Sequence, residues 1–78
     1  MARLRLFGPV RQAAGTGVDQ VSGSSVAEVL AKASQRYGPG FTELLASCRI
    51  WVNGEPADDA TAVAESDEVA VLPPVSGG

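Results

Sequence analysis

The residues able to do chemistry in this chain are few. It contains no histidine, so the usual neutral-pH base and the commonest zinc ligand are missing. Nine carboxylates are spread along it, none in the pairing or spacing that a hydrolase or metalloenzyme requires, and no metal ligand set is expected. Cys48 stands alone, which rules out an internal disulfide. It follows Leu44-Leu45 in an apolar stretch, where a free thiol packs as a small hydrophobe; relay of sulfur is its reactive alternative. What remains is the main chain. After Leu72 the sequence runs Pro73-Pro74-Val75-Ser76-Gly77-Gly78. Two prolines cannot donate ladder hydrogen bonds, so a strand must stop there. They also favour an extended conformation that carries the tail away from the body. Gly77 and Gly78 have no side chains, so the Gly78 carboxylate is an unhindered acyl group. It can thread a channel that a β-carbon would block. A carboxylate resists attack through its charge and resonance, so its use as an acyl group requires activation.

The elements that must hold such a tail are legible from periodicity. Ala2-Arg3-Leu4-Arg5-Leu6-Phe7 alternates at period two, which predicts a half-buried strand with Leu4 and Leu6 inward and Arg3, Arg5 and Phe7 outward. Gly8-Pro9 ends it, and a Gly15-Thr16-Gly17 turn leads into a second strand over Val18 to Ser22, forming a hairpin. Ser25-Val26-Ala27-Glu28 has capping-box spacing. Val26, Val29, Leu30, Ala33 and Tyr37 then form one helical stripe, stopped by Gly38-Pro39. Phe41, Leu44 and Leu45 suggest a short extra turn against the core. A third strand is predicted over Arg49 to Asn53, with Ile50 and Val52 inward and Trp51 outward, before the tight Asn53-Gly54 turn. A brief edge strand is expected near Ala62-Val63, and the last strand over Glu68 to Leu72, with Val69 and Val71 inward and Ala70 and Leu72 outward. The expected core is Leu4, Leu6, Val29, Leu30, Ile50, Val52, Val69 and Val71. This order predicts an α+β domain over residues 1–72 followed by a tail at 73–78. One main helix should cross one face of a mixed sheet of four to five strands, the β-grasp arrangement of ubiquitin.

Composition narrows the function. At 78 residues, 45% apolar and 19% charged, the chain suits one small soluble domain with little room for an enclosed active site. Such a domain buries about 60–65% of the surface its unfolded chain exposes. Six basic residues occur without a cluster, which argues against nucleic acid. The net charge of −3 suits docking onto a basic protein surface. No run is long enough to span a bilayer, and no signal-peptide core is present, so no membrane association is expected and cytoplasm is the expected location. Phe7 and Leu72, joined by Trp51 from the next strand, should form an apolar partner patch on the uncovered face, with Arg11 at its rim.

Leu6-Phe7-Gly8-Pro9-Val10-Arg11, Val52-Asn53-Gly54-Glu55 and the segment from Asp67-Glu68-Val69 to Gly77-Gly78 resemble the small subunit of molybdopterin synthase, a MoaD-type member of the MoaD/ThiS sulfur carriers. The Pro-Pro-Val-Ser-Gly-Gly ending resembles the molybdopterin branch more than the thiamine carriers. One departure is Ser66, where that family commonly has glycine. The resemblance implies that an E1-like adenylyltransferase uses ATP to adenylate Gly78, and that a persulfide sulfur displaces AMP to leave a thiocarboxylate. The large synthase subunit would then receive Pro73, Pro74, Val75, Ser76 and Gly77 as an inserted tail. Two such carriers in a heterotetramer would supply the dithiolene sulfurs of molybdopterin, made from cyclic pyranopterin monophosphate. No tightly bound cofactor is implied, and the catalytic side chains would lie on the partners, leaving this chain a sulfur donor. Other readings stay open: a carrier for thiamine or cysteine synthesis, a protein modifier joined through Gly78, or a plain interaction domain.

Overall fold

The computed structural model describes residues 1–74. Strand β1 (Ala2–Leu6) buries Ala2, Leu4 and Leu6 and turns Arg3 and Arg5 to the opposite face, as period-two alternation predicts. Strand β5 (Glu68–Leu72) does the same with Val69 and Val71. The two run parallel at the centre of the sheet, Leu4 opposite Val69 and Leu6 opposite Val71. Strands β2 (Val18–Val21) and β3 (Arg49–Val52) pair antiparallel on either side, and a two-residue β4 (Glu55–Pro56) closes the far edge. The five described strands thus take the order β2-β1-β5-β3-β4 in one mixed sheet.

The main helix of this α+β fold, α2 (Val26–Tyr37), lays Val26, Val29 and Ala33 against the buried face. Its start departs from the predicted box. The Ser25 hydroxyl accepts from the Glu28 N–H at 3.2 Å, but the Glu28 carboxylate reaches past Ser25 to the N–H and hydroxyl of Ser24. Both groups at the helix entry are still satisfied, one residue earlier.

Two further described helices were not predicted as such. The expected tight hairpin between β1 and β2 instead holds α1 (Pro9–Ala14), started by Pro9 and anchored by the buried Val10. The expected turn around Phe41 is α3 (Pro39–Leu45), which places Phe41 fully in the core. Each has too few turns to reveal a 3.6-residue period. The predicted edge strand near Ala62-Val63 is a single bridge between Ser25 and Ala62, and Glu55–Pro56 takes the edge instead. The cause is the Asn53-Gly54 turn: both residues are left-handed, with φ 52° and 83°, which folds the chain straight back on β3. Asn53 also donates to Asp67 and accepts from the Glu68 N–H, both at 2.9 Å, pinning this turn to the start of β5. Ser66 sits in a separate turn, Glu65-Ser66, just before β5 and without a positive φ, so a glycine is not required there.

The core differs from expectation at three positions. Leu30, Ile50 and Val52 are only half-buried. Ile50 and Val52 lie near the sheet edge, and Leu30 flanks a groove shared with Leu45, Cys48 and Ile50. Phe41, Val10 and Val21 fill the interior in their place.

Candidate functional site

Among the described residues no helix covers the second face of the sheet, and the register fixes what it presents. Arg5 of β1 lies beside Ala70 of β5, and Ala70 lies opposite Trp51 of β3. One row along, Leu72 lies opposite Arg49, and the Phe7 N–H donates to the Val71 carbonyl at 3.2 Å, which brings Phe7 to the flank of Leu72. Phe7, Trp51 and Leu72 are each half-buried on this face. Arg11, expected at the rim, is exposed on α1, with its guanidinium folded over Gly17.

Arg5 was not singled out from the sequence, although the alternation that turns Phe7 outward turns Arg5 outward too. Its guanidinium carbon lies 5.6 Å from the centre of the Phe7 ring, a cation–π contact. Glu68 approaches it only to 3.8 Å, and Arg5 Nε is buried with no hydrogen-bond partner among the described residues. Arg3 and Arg49 stand exposed on the same face.

The base of the tail is seated on the body. Pro73 is half-buried and Pro74 exposed, so the chain departs only after the first proline. Gly8 makes this possible. A Cβ at Gly8 would meet Pro73 ring atoms at 3.2 and 3.3 Å, and its φ of 65° is one that L side chains rarely adopt. Val75, Ser76, Gly77 and Gly78 lie outside the described residues.

Cys48 is half-buried, and its thiol donates to the Leu44 carbonyl at 3.1 Å. Burial pushes the thiol pKa up, which keeps sulfur in its less nucleophilic protonated form. Its surroundings therefore suit packing better than relay.

A five-stranded mixed sheet crossed by one main helix, with Pro73-Pro74 following its central strand, defines a ubiquitin-like β-grasp protein. The chain belongs to the ThiS family, whose model matches residues 4–78, and it is a sulfur carrier of the ThiS/MoaD type. Among solved structures it is similar to small archaeal modifier protein 1 from Methanosarcina acetivorans, at 30% identity over 99% of this chain and 95% of that one, with a TM-score of 0.89. The corresponding protein from Haloferax volcanii matches at 27% identity over 99% and 98%, with a TM-score of 0.79. A chain in the complex of subunits 1 and 2 of the molybdopterin-converting factor from Helicobacter pylori 26695 matches at 27% identity over 99% and 97%, with a TM-score of 0.74.

Proposed function

We propose that this chain carries sulfur as a C-terminal thiocarboxylate on Gly78 for molybdopterin synthesis. The observation that carries this reading is the ending Pro73-Pro74-Val75-Ser76-Gly77-Gly78 on a fold like that of the molybdopterin-converting factor chain. In an E1-like enzyme, the Gly78 carboxylate attacks the α-phosphorus of ATP and releases pyrophosphate, giving an acyl adenylate. A persulfide sulfur then attacks the acyl carbon and AMP leaves, forming an acyl disulfide. A second enzyme thiol attacks the sulfur of the persulfide-bearing cysteine, forming an enzyme disulfide as the S–S bond to the acyl sulfur breaks and the thiocarboxylate leaves. The carrier then docks on a large synthase subunit through its open face and delivers sulfur through the inserted tail. The whole sequence runs in the cytoplasm.

A second reading is favoured by the 30% identity to small archaeal modifier protein 1: attachment of Gly78 to lysines of other proteins. It uses the same activation and differs in the acceptor.

The test is the intact mass of the protein isolated from its native cells. Exchange of one oxygen for sulfur at the C-terminus is expected, and removal of Gly78 should abolish it while folding persists. Deletion retracts the carboxylate by about 3.3–3.6 Å, and misplacement by ~1 Å already costs on the order of a hundredfold in rate. Isopeptide-linked forms without the exchange would favour the modifier. A truncated chain that still accepts adenylate and delivers sulfur would leave a plain interaction domain.

A further inference from the structure

The open face carries a charge opposite to that of the molecule. Of six basic residues, Arg3, Arg5 and Arg49 lie on it; of the three acidic residues in the described strands, Asp19 shares the buried face with Leu4 and Glu55 with Val52, which leaves Glu68 on the open face. The strand residues of that face therefore carry +2 in a chain of net −3, and Asp58 and Asp59 border its edge beside Arg49 and Trp51. The net charge pointed to a basic partner, but the register gathers the arginines where docking would occur.

Arg5 sharpens the point. Its stem lies on the sheet, its head is steadied by the Phe7 ring, and Glu68 at 3.8 Å is beyond hydrogen-bond length. A guanidinium has five donors in a planar fork matched to a carboxylate. Here the fork is half-buried, pre-positioned and short of acceptors among the described residues. Burial of Arg5 by an apolar or basic partner would leave its charge facing only the Glu68 carboxylate, 3.8 Å away and not hydrogen-bonded to it, at a desolvation penalty.

We infer that the open face docks on a protein surface that presents carboxylates around an apolar socket. Arg5 takes one carboxylate, Arg3 and Arg49 meet acidic groups at the rim, and Phe7, Trp51 and Leu72 enter the socket. The apolar centre and the negative remainder of the chain disfavour a nucleic-acid phosphate backbone.

The first test is independent of whether the chain carries sulfur. The full chain, labelled for NMR, is titrated with a blocked peptide of alternating glutamate and leucine, and with its lysine–leucine counterpart. Saturable shifts at the Arg5 side-chain N–H and the Trp51 indole with the acidic peptide alone are expected, weakening as NaCl rises. Arg5→Glu and Arg49→Glu should each weaken binding by about tenfold or more, whereas Lys32→Glu on α2 should not. Arg49 is exposed, so its variant and the salt dependence decide the matter even where Arg5→Glu fails to fold. Equal shifts with the lysine peptide, no open-face shifts, or saturable binding of an oligouridylate there would overturn the inference. The second test uses the adenylyltransferase of the same organism that supports Gly78-dependent ATP–pyrophosphate exchange. Arg49→Glu should raise the KM for the carrier more than it lowers kcat. An unchanged KM would overturn the docking inference alone, and absence of any exchange would count against the sulfur-carrier reading instead.

Discussion

Gly8 shows how one missing β-carbon can decide where a tail begins. The chain turns there with φ 65° and ψ −141°, and the space a side chain would occupy is taken by the Pro73 ring. Alanine at this position meets two penalties. A positive φ with this extended ψ is essentially confined to glycine and costs other residues about 1–3 kcal/mol, and Pro73 must shift by a few tenths of an ångström. Gly8→Ala should therefore lower stability by roughly that amount in urea titration and move the Pro73 and Pro74 resonances. Pro73→Ala in the Gly8→Ala background should recover part of the loss, because the ring atom nearest the new methyl is gone. Strict additivity of the two changes would show that the contact has no energetic weight.

At the scale of elements, the sheet is closed to strand addition at both edges. On β2 the outward-facing backbone groups are already occupied. Thr16 Oγ1 accepts from the Val18 N–H and donates to the Val18 carbonyl, Asp19 accepts from the Gln20 N–H, and Arg36 donates to the Gln20 carbonyl. The other edge is two residues long and includes Pro56. Short edges with proline and satisfied backbone groups resist pairing. Asp19 also ties β2 to the end of α2. The Tyr37 hydroxyl donates to its carboxylate, as does Arg36 at 2.6 Å. The Tyr37 hydrogen bond first, then those from Arg36 and the Gln20 N–H, hold its pKa below the ordinary value of 3.8. A carboxyl depressed by folding contributes stability above its unfolded pKa and loses it as pH falls through its folded pKa. Asp19→Asn should thus lower the melting temperature at pH 7, and the gap from wild type should close below about pH 4. A gap that stays constant between pH 7 and pH 3 would place the effect in the hydrogen bonds rather than in the charge.

For the whole molecule, the packing that stabilises the fold is concentrated on one of the two faces of the sheet. The buried face holds a core in which Phe41 is among the largest fully buried side chains, 5.2 Å from the Tyr37 ring centre. Phe41→Ala should cost about 3–5 kcal/mol, a large share of the roughly 4–12 kcal/mol available to a domain of this length. Leu30→Ala, from a side chain half open to a groove, should cost about 1–2 kcal/mol, below the range for a fully buried leucine. Equilibrium urea unfolding of both variants checks the order, and a larger loss at Leu30 would contradict the observed packing. The open face contributes little to that core, so it is free to carry Arg5 beside Phe7 and to present Trp51 and Leu72.

By itself the sequence determined what depends on neighbours along the chain. Period-two alternation placed Leu4, Leu6, Val69 and Val71 in the core. The stripe through Val26, Val29 and Ala33 placed α2, and Asn53-Gly54 placed a turn, because each rule acts within a few residues. The Pro-Pro-Val-Ser-Gly-Gly ending was legible for the same reason. The short helices α1 and α3 were not, since six or seven residues are held by tertiary burial of Val10 and Phe41 rather than by an intrinsic period. Nor could net charge reveal a basic docking face. Arg3 and Arg5 share a face by local alternation, but Arg49 joins them only because β3 pairs with β5 and β5 with β1. The same long-range pairing brings Phe7 to Leu72. The seating of Pro73 on Gly8 depends on distance too, since strand pairing had to bring the two ends of the domain together before a missing β-carbon could matter.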